Sequence, residues 1–249
     1  MKHGESKRIV EGAESAVLLI HGICGSANHF RQLLPLEQLI PDNWSYHNLV
    51  LDGHSKEVED FGRSSMKKWK AQTEKAFLDL SSTHKDVILV GHSMGTLLSI
   101  GLALRYPQKV RQLFLVAVPV KVFVRPRAIP YLMKIAFDHV DEEDPVLVAM
   151  RNGCGIQQTR KLWKYIPWIP RMAELLVLCA QTARQVDRLS VPCIAIQSAK
   201  DEMVSRRAGR LLEESGSIAV TELPDSTHFY YAPGDLQVIL RRFEEICKE

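Results

Sequence analysis

Six short apolar runs recur along the chain, at residues 16–20 (AVLLI), 48–51 (NLVL), 87–90 (VILV), 113–118 (LFLVAV), 193–197 (CIAIQ) and 217–223 (SIAVTEL). Each is rich in β-branched or aliphatic residues and bounded by turn formers, which predicts strands. Their hydrophobicity is continuous rather than alternating, so both faces must be buried, as in a parallel sheet covered by helices on each side. Helical periodicity occupies the intervals at 29–39, 66–81, 96–106, 205–214 and 236–248. The pattern predicts one α/β domain over residues 1–249 with right-handed crossovers.

Between residue 119 and about 190 the alternation stops. Proline-punctuated stretches (VRPRAIPYLMKIAF, KLWKYIPWIPRM) lead into a helical run at 172–189. A compact domain rarely carries about 70 residues without a strand unless they form a helical unit of their own, and such insertions over a sheet edge usually serve as lids. A helical cap is therefore expected at about 119–185, with its last helix belonging to the layer that covers the sheet. Trp163 and Trp168, with Tyr165 and Ile169, either line an acyl pocket or pack the cap onto the sheet. Arg125 and Arg127 read as solvated cap charges. The acidic stretch DHVDEEDP at 138–145 lacks the loop glycine and terminal glutamate of a calcium-binding EF-hand and reads as a solvated helix end or turn.

Composition narrows the class. At 46% hydrophobic and 24% charged, the 249 residues can bury one large core. The balance of 32 basic to 29 acidic residues, a formal +3, is too slight to imply nucleic acid or an anionic membrane as partner. The opening MKHGESKRIVEGAES has no apolar signal-peptide core, and no run of about 18 apolar residues follows. A cytoplasmic location without stable membrane association is expected. The five cysteines, Cys24, Cys154, Cys179, Cys193 and Cys247, are scattered and form no C-x-x-C pair, so reduced thiols are expected rather than a metal site or disulfides.

The chemistry concentrates where the run VILV ends in Gly91-His92-Ser93-Met94-Gly95 and a helical pattern resumes at once. In a strand-to-helix turn of the form G-x-S-x-G the serine sits on a sharp corner, and the glycines remove side chains that would collide there. Its hydroxyl stands above the carboxyl edge of the sheet, and the N–H of Met94, at the helix start, is free to face a developing oxyanion. A serine hydroxyl needs a general base, and the base needs an anion to hold its tautomer. His228 in LPDSTHFYY is the only histidine after residue 139, as the order serine, acid, histidine requires. Asp201 follows the run CIAIQ directly, at the edge where functional loops of such sheets gather; Glu202 and Asp225 are the alternative acids. His21-Gly22-Ile23-Cys24-Gly25 after the first run supplies a second oxyanion donor, the N–H of Ile23. His92, on the opposite face from Ser93, is expected to pack or to support the site. His21 and His54 are expected to hold loops, and Cys24 to line the pocket.

HGICG at 21–25, GHSMG at 91–95, SAKDEMV with Asp201, THF with His228, and LDGHSKEVEDFGRSSMKKW at 51–69 together resemble the α/β-hydrolase superfamily, specifically its carboxylesterase and monoacylglycerol-lipase branch. The resemblance implies an eight-stranded, mostly parallel sheet with the cap after the sixth strand, an acyl-enzyme mechanism and no cofactor. It implies Ser93 as nucleophile, His228 as base, Asp201 as orienting acid, and Ile23 and Met94 as oxyanion donors, with no metal. Two departures stand out: Thr96 occupies a common third-glycine position, and LDGHSK lacks the second glycine of the usual loop. The expected activity is hydrolysis of small to medium acyl or aryl esters by a monomer or homodimer. The alternatives are a hydrolase of amides, thioesters or carbon–carbon bonds, and a ligand-binding receptor on the same fold.

Overall fold

The computed structural model describes residues 4–123, 126, 128–137 and 139–248; Arg125, Arg127 and Asp138 lie outside them. The described strands are β1 (Ser6–Arg8), β2 (Ser15–Ile20), β3 (Ser45–Leu49), β4 (Asp86–His92), β5 (Val110–Val116), β6 (Cys193–Ser198) and β7 (Ile218–Leu223). They form one sheet in the order β1-β3-β2-β4-β5-β6-β7, parallel throughout except where β1 runs antiparallel to β3. Seven strands replace the eight expected among the described residues. All six strands foreseen from apolar runs are present. The addition, β1, has the polar sequence SKR and a partly exposed pattern, so only its pairing with β3 reveals it. The helical insertion consequently follows the fifth strand rather than the sixth.

The helices are α1 (Val58–Gly62), α2 (Met66–Ser81), α3 (Met94–Arg105), α4 (Ala128–Ala136), α5 (Pro145–Gly153), α6 (Trp168–Ala183), α7 (Arg207–Glu214) and α8 (Pro233–Lys248). The expected helix over 29–39 is instead a five-residue π-helical turn, His29–Leu33, and a short 3-10 turn, Glu37–Leu39. Pro35 lies between them, lacks the N–H a helix would use and pushes its predecessor out of the helical region; Leu34 is accordingly extended at φ −124 and ψ 91. At the start of α2, the Ser65 hydroxyl accepts from Lys68 N at 3.3 Å. Asp144 does the same for α5, accepting from Val146 N and Leu147 N. The 139–145 part of the acidic stretch thus ends in a helix cap.

Alternation along the strands divides the core. Leu18, Leu89, Leu115 and Ala195 face a cluster completed by Phe61, Trp69, Phe77 and Leu97. Their neighbours Val17, Leu19, Ile88, Val90 and Phe114 face Phe30, Leu34, Ile239 and Phe243. Two-sided burial explains the continuous apolar runs. Parallel pairing also sets the strand ends side by side, with Ile20 opposite Gly91 and His92 opposite Val116, so the loops that follow β2, β4, β6 and β7 emerge at one edge.

The stretch between β5 and β6 carries α4, α5, a 3-10 turn (Leu162–Tyr165) and α6. Leu178 and Cys179 of α6 are buried in the same cluster as α2 and α3, so the C-terminal half of this helix belongs to the covering layer. Its N-terminal end is tied down by Trp168, whose Nε1–H donates to the Val58 carbonyl at 2.9 Å and whose ring lies 4.5 Å from that of Phe61. Trp163 is 64% exposed. No described helix is long and apolar enough to cross a membrane. All five cysteines are free, with Cys179 and Cys193 buried.

The tightest helix–sheet contact is at Gly95, where an added Cβ would lie 1.9 Å from the Ile20 carbonyl oxygen. A backbone neighbour cannot give way as a side chain can. Gly95→Ala is therefore expected to destabilise the protein by more than about 3 kcal/mol, read as the shift in a urea unfolding transition; a loss under about 1 kcal/mol would show that α3 can retreat from β2.

Candidate active site

Ser93 occupies the corner between β4 and α3 with φ 51 and ψ −122. A non-glycine residue held there costs about 1–3 kcal/mol and persists only where its surroundings leave no alternative. Those surroundings are specific. Ser93 N donates to Val116 O at 2.9 Å, and the Ser93 carbonyl accepts from both Thr96 N at 2.9 Å and Thr96 Oγ1 at 2.6 Å. Thr96, a departure from the family pattern, braces the corner rather than crowding it. A Cβ on Gly91 would meet Thr96 N and Cα at 2.7 Å, and one on Gly22 would meet Ser93 Cβ at 2.9 Å.

The loops after β6 and β7 complete the arrangement. Ser93 Oγ lies 3.2 Å from His228 Nε2, and His228 Nδ1 lies 2.8 Å from Asp201 Oδ2. Because Asp201 accepts at Nδ1–H, neutral His228 presents its lone pair at Nε2, and the serine hydroxyl donates to it. The other carboxylate oxygen of Asp201 accepts from Met203 N and Val204 N, both at 2.7 Å. Of the alternative acids, Asp225 points away to Lys200 at 2.8 Å. Glu202 bonds the His228 main chain instead of its ring, accepting from His228 N at 3.1 Å.

Ile23 and Met94 lie in the loop after β2 and at the first position of α3; neither N–H donates a backbone hydrogen bond among the described residues. Two buried histidines fix the loop. His21 Nδ1–H donates to Gly22 O at 2.8 Å and its Nε2 accepts from Leu51 N at 3.1 Å. His54 Nε2 accepts from Cys24 N at 3.2 Å, while its Nδ1–H donates to Asp52 O at 3.3 Å. Ser55, in the loop that lacks the usual second glycine, adopts the left-handed φ of 57 that a glycine would take. Cys24 also has a positive φ, 58, and burial pushes its thiol well above the usual value, away from the thiolate a nucleophile needs.

Electrostatically the site divides into one base and several neutral supports. For His228, burial acts to lower the pKa, but the charge of Asp201, the hydrogen bond to it and the charge of Glu202 outweigh burial, and the net direction is upward. Burial holds His21 down at about 4 and His29 at about 3, and pushes His54 and His92 well below the ordinary value. His92 stacks on His29 with ring centroids 3.7 Å apart, and its Nε2–H donates to the carbonyl of His228 at 3.2 Å. Glu202, by contrast, is pushed upward by burial.

Sequence reading did not anticipate the bonds from His92 and Glu202 to the main chain of His228. Nor did it find Asp235, whose Oδ2 accepts from Asp225 N at 2.9 Å and Ser226 Oγ at 2.7 Å and so shapes the loop before His228. The only available signal was adjacency, since His92 precedes Ser93 and Glu202 follows Asp201. The insertion lies directly on the site: Gly155 N donates to Cys24 O at 2.7 Å, and a Cβ on Gly153 would sit 2.5 Å from the ring of Phe229. Ser93 is only 8% exposed.

A sheet of this order, a serine on a strained corner after its fourth strand, and an acid and a histidine on later loops define an α/β-hydrolase arrangement. The sequence pattern of the alpha/beta hydrolase family matches residues 17–236, and the chain belongs to that family. Among curated proteins none matches it in sequence. Several solved structures share its fold. One comes from work on LipS and LipT, two metagenome-derived lipolytic enzymes, at 19% identity over 99% of this chain and 98% of that one, with a TM-score of 0.73. Another is the monoacylglycerol lipase of Paleococcus ferrophilus, at 15% identity over 98% of this chain and 97% of that one, TM-score 0.68. A third is a soluble variant of monoglyceride lipase from Saccharomyces cerevisiae with a substrate analogue, at 10% identity over 98% and 90%, TM-score 0.71.

The neutral histidines carry a pH signature. Unfolded, each accepts a proton below about pH 6.5; folded, they refuse it until the pH is far lower. Their stabilising contribution is complete above about 6.5 and is lost as pH falls through the folded values. With a folded value of about 4, His21 alone accounts for about 3 kcal/mol. His228, raised, acts in the opposite sense: its contribution is present at low pH and lost as pH rises through its folded value. Four depressed groups outweigh one raised group, so the urea midpoint is expected to fall steadily between pH 7 and pH 4.5. A flat midpoint over that range would mean that these rings are not held neutral.

Proposed function

We propose that this chain is a serine carboxylester hydrolase of the carboxylesterase or monoacylglycerol-lipase type, acting on small to medium acyl or aryl esters. The observation that carries the reading is the unbroken hydrogen-bonded line from Asp201 through His228 to Ser93, ending in a hydroxyl on a strained corner. In this mechanism Ser93 Oγ attacks the ester carbonyl while its proton passes to His228 Nε2. The N–H groups of Ile23 and Met94 receive the oxyanion, an interaction worth about 3 kcal/mol per donor in such sites. His228, now an imidazolium steadied by Asp201, protonates the departing alkoxide. Water, deprotonated by the same ring, then releases the acid from the acyl-serine. No cofactor takes part.

The insertion at about 119–185 acts in this reading as a cap. Its contact with the Cys24 carbonyl and the low exposure of Ser93 favour compact acyl groups, and a substrate reaches the serine only when the cap shifts. Lipolytic enzymes are among those that share the fold, which supports an ester bond; a thioesterase domain shares it too.

Ser93→Ala is expected to cut turnover of a p-nitrophenyl ester by at least about a thousandfold while leaving the unfolding transition in place. Wild-type protein should label at Ser93 with a fluorophosphonate and turn over steadily. Retention of the wild-type rate by the alanine variant would refute the assignment, and a single slow labelling event without turnover would point to a receptor. Rates across an ester series from acetate to long-chain and aryl acids should fall beyond medium chain length; a rise toward long chains would contradict the compact pocket.

A further inference from the structure

His228 sits in the loop between β7 and α8, with no strand ladder to fix its backbone. Its ring must nonetheless serve two oxygen atoms in turn, that of Ser93 and that of the leaving group, so small errors in its position matter. Three side chains outside the hydrogen-bonded line bond its main chain, Tyr231 at 3.5 Å and two others more closely. Glu202 Oε2 accepts the His228 N–H at 3.1 Å, and His92 Nε2–H donates to the His228 carbonyl at 3.2 Å. Each stands next to a member of the line, Glu202 after Asp201 and His92 before Ser93. The loop that delivers the acid and the turn that delivers the serine therefore each also deliver one bond to the backbone of the base.

Resting on the reading of His228 as general base, we propose that Glu202 and His92 are positioning residues that clamp its peptide groups, and that Glu202 is a second anion supporting the imidazolium formed during turnover. Glu202 is 2% exposed, and its Oε1 is buried without a partner. A group whose only task was to cap a peptide N–H would do so at lower cost as an amide or hydroxyl, because a buried carboxylate loses hydration that one peptide bond does not replace. Its charge raises the proton affinity of His228. His92 meets a comparable cost. With Nε2–H donating, Nδ1 keeps an unpartnered lone pair in the interior, and the ring stays neutral against His29, so it holds the carbonyl without placing a like charge beside the base.

The titratable groups facing His228 are few. Asp201 and Glu202 come from the loop after β6, His92 from the end of β4, and His29 from the π-helical turn. Tyr231, from its own loop, has its hydroxyl 3.5 Å from the same carbonyl. Asp201 and Glu202 are the two carboxylates among them, both act to raise the proton affinity of the ring, and removing either lowers it.

Glu202→Gln preserves an oxygen acceptor for the N–H and deletes the charge. In a Ser93→Ala background, which needs no turnover, the His228 ring followed by NMR should titrate about half a unit to one unit lower when Glu202→Gln is added. In active protein the acid limb of kcat/KM should move to lower pH by the same amount, and the plateau should fall about tenfold. An unmoved ring titration would overturn the role of Glu202 as second anion. His92→Phe retains the stack on His29 but not the donor. Its kcat should drop about tenfold with KM and the ring titration nearly unchanged, and His92→Gln should recover part of the loss. Wild-type kcat in His92→Phe would overturn the clamp. Failure of the base assignment itself is read separately, as turnover surviving in Ser93→Ala or in a His228→Ala variant.

Discussion

The approach of α3 to the ends of β2 and β4 governs this molecule. Helix and strand come so close at Gly95 that no Cβ fits against the Ile20 carbonyl, and the chain can turn from β4 into α3 only through the unfavourable dihedrals of Ser93. The cost is local and the support is not: the Val116 carbonyl, both donors of Thr96 and the bare backbone of Gly22 and Gly91 all hold the corner. The same proximity brings the loop after β2 alongside the helix start, with the bare Cα of Gly22 against the Ser93 side chain. Strain and the placing of the serine thus follow from one packing contact.

Around that corner the protein buries an unusual amount of nitrogen. His21, His29, His54, His92 and His228 all lie inside, and four of them are kept neutral by the absence of water. Only His228, with Asp201 and Glu202 against it, is shifted toward holding a proton. Five copies of one side chain acquire two kinds of behaviour from where the carboxylates stand. The neutral rings serve as short struts whose two nitrogens tie loop backbone together, as His21 does between Gly22 and Leu51.

Local pattern foretold the fold where burial was two-sided. Continuous apolar runs marked six of the seven described strands; five of these are buried on both faces, where a strand tolerates no polar alternation, while β7 at the sheet edge is half-exposed. The pattern failed for β1, whose polar residues carry no such mark, and at 29–39, where Pro35 interrupts a helical periodicity that amphipathic turns imitate. In the site, Ser93, Asp201 and His228 could be named from chain order and turn chemistry, and the structure brings them within hydrogen-bond distance. Glu202 was read as a competing acid and His92 as packing or supporting the site, without a named partner for either. No periodicity encodes a bond between a side chain and a peptide group 26 or 136 residues away.

The sequence by itself determined the class of architecture, the sharp turn at Ser93 and the set of residues able to do acid–base chemistry, since these depend on contacts within a few residues. Tertiary structure alone decided which carboxylate takes the ring and which takes the main chain, which histidines stay neutral, and how closely the insertion covers the serine. Those outcomes depend on dielectric and distance among segments that meet only when the sheet closes its loops onto one edge.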